Sequence, residues 1–296
     1  MGHKASQQRR TCHTAGSMWS QNGAVAIEGI AMKSVHDMIS YLDTEVERDT
    51  RYEVVSYLLA HLRDLDSLSL SEVARQTYVS KSTVSRVVRR FGFDSYDEFL
   101  AITRRLVGQD PSVTLRIAPD ELRALRSGDE SYIESYVDEL CAALQDLKGT
   151  VRAETIDSLI EDMMTRETAL FATEQPLMIA RDVQVAFLAA GHLIHVGETG
   201  SKRQQIAQEL PSGSLAIVLS NYGRYLEDNR EMLERLKSRG VGLYLVTLCY
   251  DGPSCLLFDR VIRLSAHGFS GVGSFPMKAF FKLVIRRLLA GEAAKA

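Results

Sequence analysis

The run Lys81-Ser82-Thr83-Val84-Ser85-Arg86-Val87-Val88-Arg89-Arg90 carries four cations, three hydroxyls and no carboxylate. On a helix, Val84, Val87 and Val88 fall to one side, which leaves the polar residues facing water. Guanidinium, ammonium and hydroxyl groups bind phosphate oxygens and base edges, so the chemistry indicated is recognition of a DNA duplex rather than the making or breaking of bonds. Arg86 is the expected base reader, because a guanidinium forms paired bonds to guanine. Lys81 adds positive charge, Arg89 and Arg90 are expected to serve mainly the backbone, and Ser82, Thr83 and Ser85 to meet base edges or phosphates.

A second short helix must hold this one in place. Upstream, Leu70-Ser71-Glu72-Val73-Ala74-Arg75-Gln76 supplies an apolar face through Val73 and Ala74, and Ala74 is small enough for another helix to cross closely. Val79 is expected to begin the turn, Ser80 to cap the second helix through its hydroxyl, and Gly92 to end it. A basic helix alone is usually a solvated face. Here the small crossing residue, turn, cap and cations stand together at the offsets of a helix-turn-helix.

The stretch Val79 to Arg86, the Gly92-Phe93 pair and the Tyr96 to Phe99 element resemble the N-terminal helix-turn-helix of the RpiR family of bacterial regulators, and the likeness covers about Tyr52 to Leu106. The resemblance implies that the remainder is a sugar isomerase (SIS) domain binding a phosphosugar. Apolar runs at 169–172, 192–196, 216–219, 243–248 and 261–264 read as strands, separated by helical patterns such as 180–190 and 227–239. The expected fold is therefore an all-α helix-turn-helix domain followed by an α/β SIS-like domain with a parallel sheet flanked by helices. Gly240 stands where a helix ends.

In that family the ligand phosphate is held by hydroxyls and amides where strands give way to helices, a place favourable to anions. This chain departs from the pattern. After the first strand it reads Ala172-Thr173-Glu174-Gln175-Pro176, in which Glu174 opposes a phosphate. After the third it reads Ser220-Asn221-Tyr222-Gly223-Arg224-Tyr225, with tyrosines at two expected hydroxyl positions. Ser220, Asn221, Gly223 and Arg224 remain candidate ligand residues, with Arg224 a substitute for lost hydroxyls. Gly197-Glu198-Thr199-Gly200-Ser201-Lys202-Arg203 is a second candidate loop, in which Thr199 and Ser201 are the expected contacts, and Gly271-Val272-Gly273-Ser274 a third. Glu209 and His267 are possible bases, but no motif ties either to that role, and no catalysis is expected.

A chain of 296 residues with a formal net charge of −3 has room for two cores and no global attraction to nucleic acid, so DNA contact rests on the local cationic helix. Cys12, Cys141, Cys249 and Cys255 are scattered, as suits a reducing cytoplasm, and the His192/His195 pair lacks convergent ligands, so neither metal nor cofactor is expected. No apolar stretch reaches the length of a membrane span. Residues 1–31 read as a disordered leader or as sequence upstream of a later start at Met18 or Met32. Residues 32–108 read as the DNA-binding domain, 109–130 as a linker with Pro111, Pro119 and Gly128, and 131–296 as the sensor and oligomerisation domain. The composite reading is a dimeric or tetrameric regulator on a pseudo-palindromic operator, with a phosphosugar effector. The alternatives are a phosphosugar isomerase with an accessory domain, or a regulator whose SIS-like domain only oligomerises.

Overall fold

The computed structural model describes residues 35, 37–64, 68–108, 119–269 and 271–293. The segment 1–31, Met32 and Pro111 lie outside the described residues, as does Ser270. The described residues fall into two compact units, one up to 108 and one from 119 onward.

The N-terminal unit is helical: α1 through residues 37–44, α2 Thr50–Ala60, α3 Leu70–Gln76, α4 Lys81–Arg90 and α5 Tyr96–Gly108. Side-chain oxygens satisfy the amides that helix starts leave unpaired. Asp49 accepts from the Tyr52 N–H at 2.8 Å, Ser69 from Glu72 at 3.1 Å and Ser80 from Thr83 at 3.1 Å. Gly92, at φ +90°, follows α4 in the left-handed conformation that ends helices. Val54, Val55 and Leu58 of α2, Val73 and Ala74 of α3 and Val84, Val87 and Val88 of α4 share one core with Phe93, Tyr96 and Phe99. Phe93 and Phe99 meet edge to face, with ring centroids 5.2 Å apart.

The C-terminal unit opens with α6 (Pro119–Ser127), α7 (Ser131–Thr150) and α8 (Ala153–Thr165). The segment read as a linker thus contains a helix, with Pro119 at its first position, where a missing N–H costs no hydrogen bond. There follow β1 (Thr168–Phe171), α9 (Glu174–Ala189), β2 (His195–Val196), α10 (Gly200–Glu209), β3 (Leu215–Leu219), α11 (Arg224–Asp228), α12 (Arg230–Ser238), β4 (Gly242–Thr247), β5 (Arg260–Arg263) and α13 (Phe275–Ala293). All strand pairs are parallel, in the order β2-β1-β3-β4-β5.

Alternate residues feed the two faces of this sheet, as the pleat requires. Leu170, Leu215, Ile217 and Leu219 pack with α8, α9 and α13, while Ala169, Phe171, Ala216 and Val218 pack with α10, α11 and α12. The helix after β1 and the helices after β3 therefore lie on opposite faces, although β1 and β3 are neighbours. Their carboxyl ends diverge into a crevice, the place where open parallel sheets accept ligands.

Two elements differ from expectation. The second strand begins at His195 rather than His192, because the His192 N–H still donates to Phe187 O and Gly191 (φ +79°) completes the end of α9. The helix expected over 227–239 is two helices, broken at Asn229, whose side-chain amide donates to Tyr225 O at 2.9 Å.

Ala74 is 7% exposed where α3 meets α4, which leaves no room for added methylenes. Ala74→Leu is expected to lower unfolding free energy by about 1–3 kcal/mol through overpacking, read as a lower urea midpoint with an unchanged m-value.

Candidate functional site

On α4 the structure leaves Lys81, Ser82, Arg86, Arg89 and Arg90 exposed and Thr83 and Ser85 half-buried. The cap does more than start the helix: Ser80 Oγ lies 2.7 Å from Ser82 Oγ and 2.9 Å from Thr83 Oγ1, so the three hydroxyls are held as one cluster at the N-terminus. Arg89 Nε donates to Asp94 O at 3.1 Å, which ties that residue into the fold and leaves Arg86 and Arg90 as the freer cations. On α3, Glu72 accepts from Arg75 Nε at 3.0 Å and Gln76 Nε2 at 2.8 Å. Those two partners, Arg75 first, hold its carboxyl below the usual range. The nearby negative charge is thereby paired within α3.

The turn between α3 and α4 begins at Thr77, two residues earlier than expected, and the Val79 N–H closes on Ala74 O at 2.9 Å. Val79 packs partly on the core instead of opening the turn. Tyr78 was not singled out by its sequence position. It occupies the left-handed region at φ +55° and its side chain is 96% exposed beside α4.

In the α/β unit the loops after β1 and β3 and the start of α13 converge on the crevice. Asn221 Nδ2 donates to Ser274 Oγ at 2.6 Å, while Asn221 Oδ1 is buried without a hydrogen-bond partner. A Cβ added at Gly273 would stand 3.2 Å from Gln175 Oε1. Ser220 is buried, and its Oγ accepts from the Tyr225 N–H at 3.4 Å. Tyr222 donates to Phe269 O at 2.9 Å and packs with Leu140 of α7. Gly223, at φ +86°, lies against the Tyr250 ring, as does Gly252, and a Cβ at either would overlap that ring. The first and third candidate loops thus touch one another. The side chain of Glu174, expected to oppose a phosphate, lies outside the described residues.

The loop with Thr199 and Ser201 follows β2, on the other side of β1. Thr199 caps α10 by accepting from the Lys202 N–H at 3.1 Å, and its hydroxyl lies 3.0 Å from that of Ser201. Arg224 starts α11 half-buried. Of the possible bases, Glu209 accepts from Gln205 at the exposed end of α10. His267 Nδ1 lies 3.2 Å from Asp146 Oδ1. Burial raises the Asp146 carboxyl, but bonds from Ser265, the Ala266 amide and His267 outweigh it and hold the group below its ordinary range. That constellation fastens the loop after β5 to α7. His192 Nε2 is buried without a partner and His195 faces Glu167 at 3.5 Å, so the two imidazoles have separate surroundings.

Residues 44–104 match the family model for the helix-turn-helix domain of the rpiR family. No curated protein matches the chain. Among solved structures, the chain is similar to the Vibrio vulnificus NanR protein complexed with ManNAc-6P, at 14% identity over 87% of this chain and 92% of that one, with a TM-score of 0.45. It is also similar to the sugar isomerase domain of an RpiR transcription factor from Sphaerobacter thermophilus, at 18% identity over 56% and 93% of the two chains, with a TM-score of 0.46. A third similar structure is E. coli CFT073 c3406 in complex with A5P, at 15% identity over 60% and 93%, with a TM-score of 0.43.

A left-handed tyrosine costs about 1–2 kcal/mol, whereas glycine there forfeits only about 0.5–1 kcal/mol through the unfolded chain. Tyr78→Gly is therefore expected to stabilise the helical unit by about 0.5 kcal/mol, seen as a higher urea midpoint.

Proposed function

We propose that this chain, whose residues 44–104 are an rpiR-family helix-turn-helix domain, is a transcription regulator that binds duplex DNA through α4 and responds to a small phosphorylated sugar or amino sugar in its α/β unit. The observation that carries the reading is the capped, carboxylate-free cationic surface of α4, set on a short helix whose own carboxylate is paired internally. Arg86 reads a base edge, Lys81, Arg89 and Arg90 hold phosphates, and the hydroxyls of Ser82, Thr83 and Ser85 complete the contact. Residues 32–108 bind DNA, 109–130 connect, and 131–296 sense and assemble. Two copies present their α4 helices to the halves of a pseudo-palindromic operator in the cytoplasm. Effector contacts at Ser220, Asn221, Gly223, Arg224, Thr199 and Ser201 bias the pair between two spacings and so change affinity for DNA. The chain acts as a regulator rather than an isomerase on this reading, since no motif ties Glu209 or His267 to the role of a base and the cationic surface of α4 is one that an isomerase does not need.

Gel-shift titration against upstream genomic fragments tests this reading. Binding is expected to fall steeply with salt, and the Arg86→Ala, Arg90→Ala double variant to bind at least about tenfold more weakly, with the salt slope reduced by about 1 for the lost Arg90 phosphate contact. Equal retention of random DNA by both proteins, or turnover of sugar phosphates without DNA preference, overturns it.

A further inference from the structure

Arg203 is the one charged side chain in the buried core of the described residues, at 5% exposure. Its Nη1 donates to the carbonyls of Gly197 at 3.3 Å and Glu198 at 2.8 Å. Gly197 makes this possible, because a Cβ there would come within 2.7 Å of Arg203 Cγ and hold the first turn of α10 away from the loop. Those carbonyls do not cancel a charge. The Glu198 carboxylate is bound on the surface by Arg181, and among the described residues no carboxylate comes within ion-pair distance of Arg203. Arg203 Nη2 has no hydrogen-bond partner among them. It faces the start of α10, where a Cβ on Gly200 would lie 3.9 Å away.

A buried cation without a counter-ion is among the costliest features a fold can carry, so buried charges are as a rule paired. Arg166 and Arg239 also donate to backbone carbonyls, but neither is buried, and water screens their charge.

An unpaired buried hydroxyl lies in the core that α10 and α11 share. Tyr225, on α11, is 4% exposed and its Oη is buried with no partner. Burial drives its hydroxyl well above the ordinary tyrosine pKa, with the Arg203 charge acting on it in the opposite sense, so at neutral pH the group is a proton donor. Arg203 follows β2 and Tyr225 follows β3, which places them at the carboxyl ends of the two strands that flank β1.

We propose that Arg203 Nη2, the Tyr225 hydroxyl and the first turn of α10 with Thr199 and Ser201 form an anion site for a phosphoryl group. The inference rests on the reading of the α/β unit as a metabolite sensor and names the part of the metabolite it grips. A guanidinium edge, a phenol and a capped helix start supply donors from three elements, which suits the several acceptor oxygens of a phosphate better than a planar carboxylate. The buried Arg203 thus adds a second guanidinium, besides the half-buried Arg224 of the loop after β3, in a unit whose β3 loop is poor in hydroxyls.

The test is thermal unfolding of the full chain in graded inorganic phosphate, against sodium chloride of equal ionic strength, with glucosamine 6-phosphate as a parallel probe. Both ligands are expected to raise the melting temperature of the unmodified protein. Arg203→Met is expected to melt at the same or a higher temperature without anion, since an apolar replacement relieves the buried charge, and to weaken the phosphate response at least about tenfold in concentration. Tyr225→Phe, which keeps the ring and its packing, is expected to weaken the response without altering the anion-free melting temperature, and decides the matter if Arg203→Met fails to fold. Equal responses in the unmodified protein and both variants overturn the site but leave the sensor reading standing. A glucosamine 6-phosphate response without a phosphate response in the unmodified protein also overturns the site. No response to either probe overturns both.

Discussion

The opposite routing of two adjacent parallel strands governs the sensor half of this molecule. Because the chain leaves β1 toward one face and β3 toward the other, their carboxyl ends form a switch point, and the polar side chain of Asn221 in the loop after β3 is turned toward the start of α13. Two of the three candidate loops meet at that divergence. The Asn221 to Ser274 bond draws the start of α13 in from a distant part of the chain, and the cap of α10 stands beyond β1.

In the N-terminal unit the governing constraint is proximity. α3 and α4 share a core of valines around Ala74, and the tight connection is bought with a strained residue at Tyr78. Serine hydroxyls then fix the start of α4, so the cationic side is displayed by a helix whose first turn is already ordered. A ligand meeting that surface need not organise it, which removes part of the entropy cost of association.

Much of this was legible in the residues. Ser80, Ala74 and Gly92 act locally, through a hydroxyl, a small side chain and a permissive backbone, and such properties belong to single positions. The five strands were readable for a related reason: buried parallel strands are near-continuous apolar runs, bounded here within a residue or two except at β2, where the end of α9 extends through His192. The elements that escaped depend on distant partners or on competition between local bonds. Asn229 divides a helix because its own side chain reaches Tyr225 O. Arg203 has the composition of a surface residue on an amphipathic helix, and only the packing of α10 on Gly197 shows it to be enclosed. Asn221 and Ser274 are 53 residues apart, so their partnership has no sequence signature at all.

The aromatic ring of Tyr250 rests on two glycines, one in the loop after β3 and one in the loop after β4. A flat plate seated on bare backbone at both ends acts as a spacer of fixed thickness. Neither loop can approach, retreat or flip without carrying the plate, and with it the other loop. A side chain added at either glycine therefore has to push the plate aside, and the plate already bears on the loop across from it.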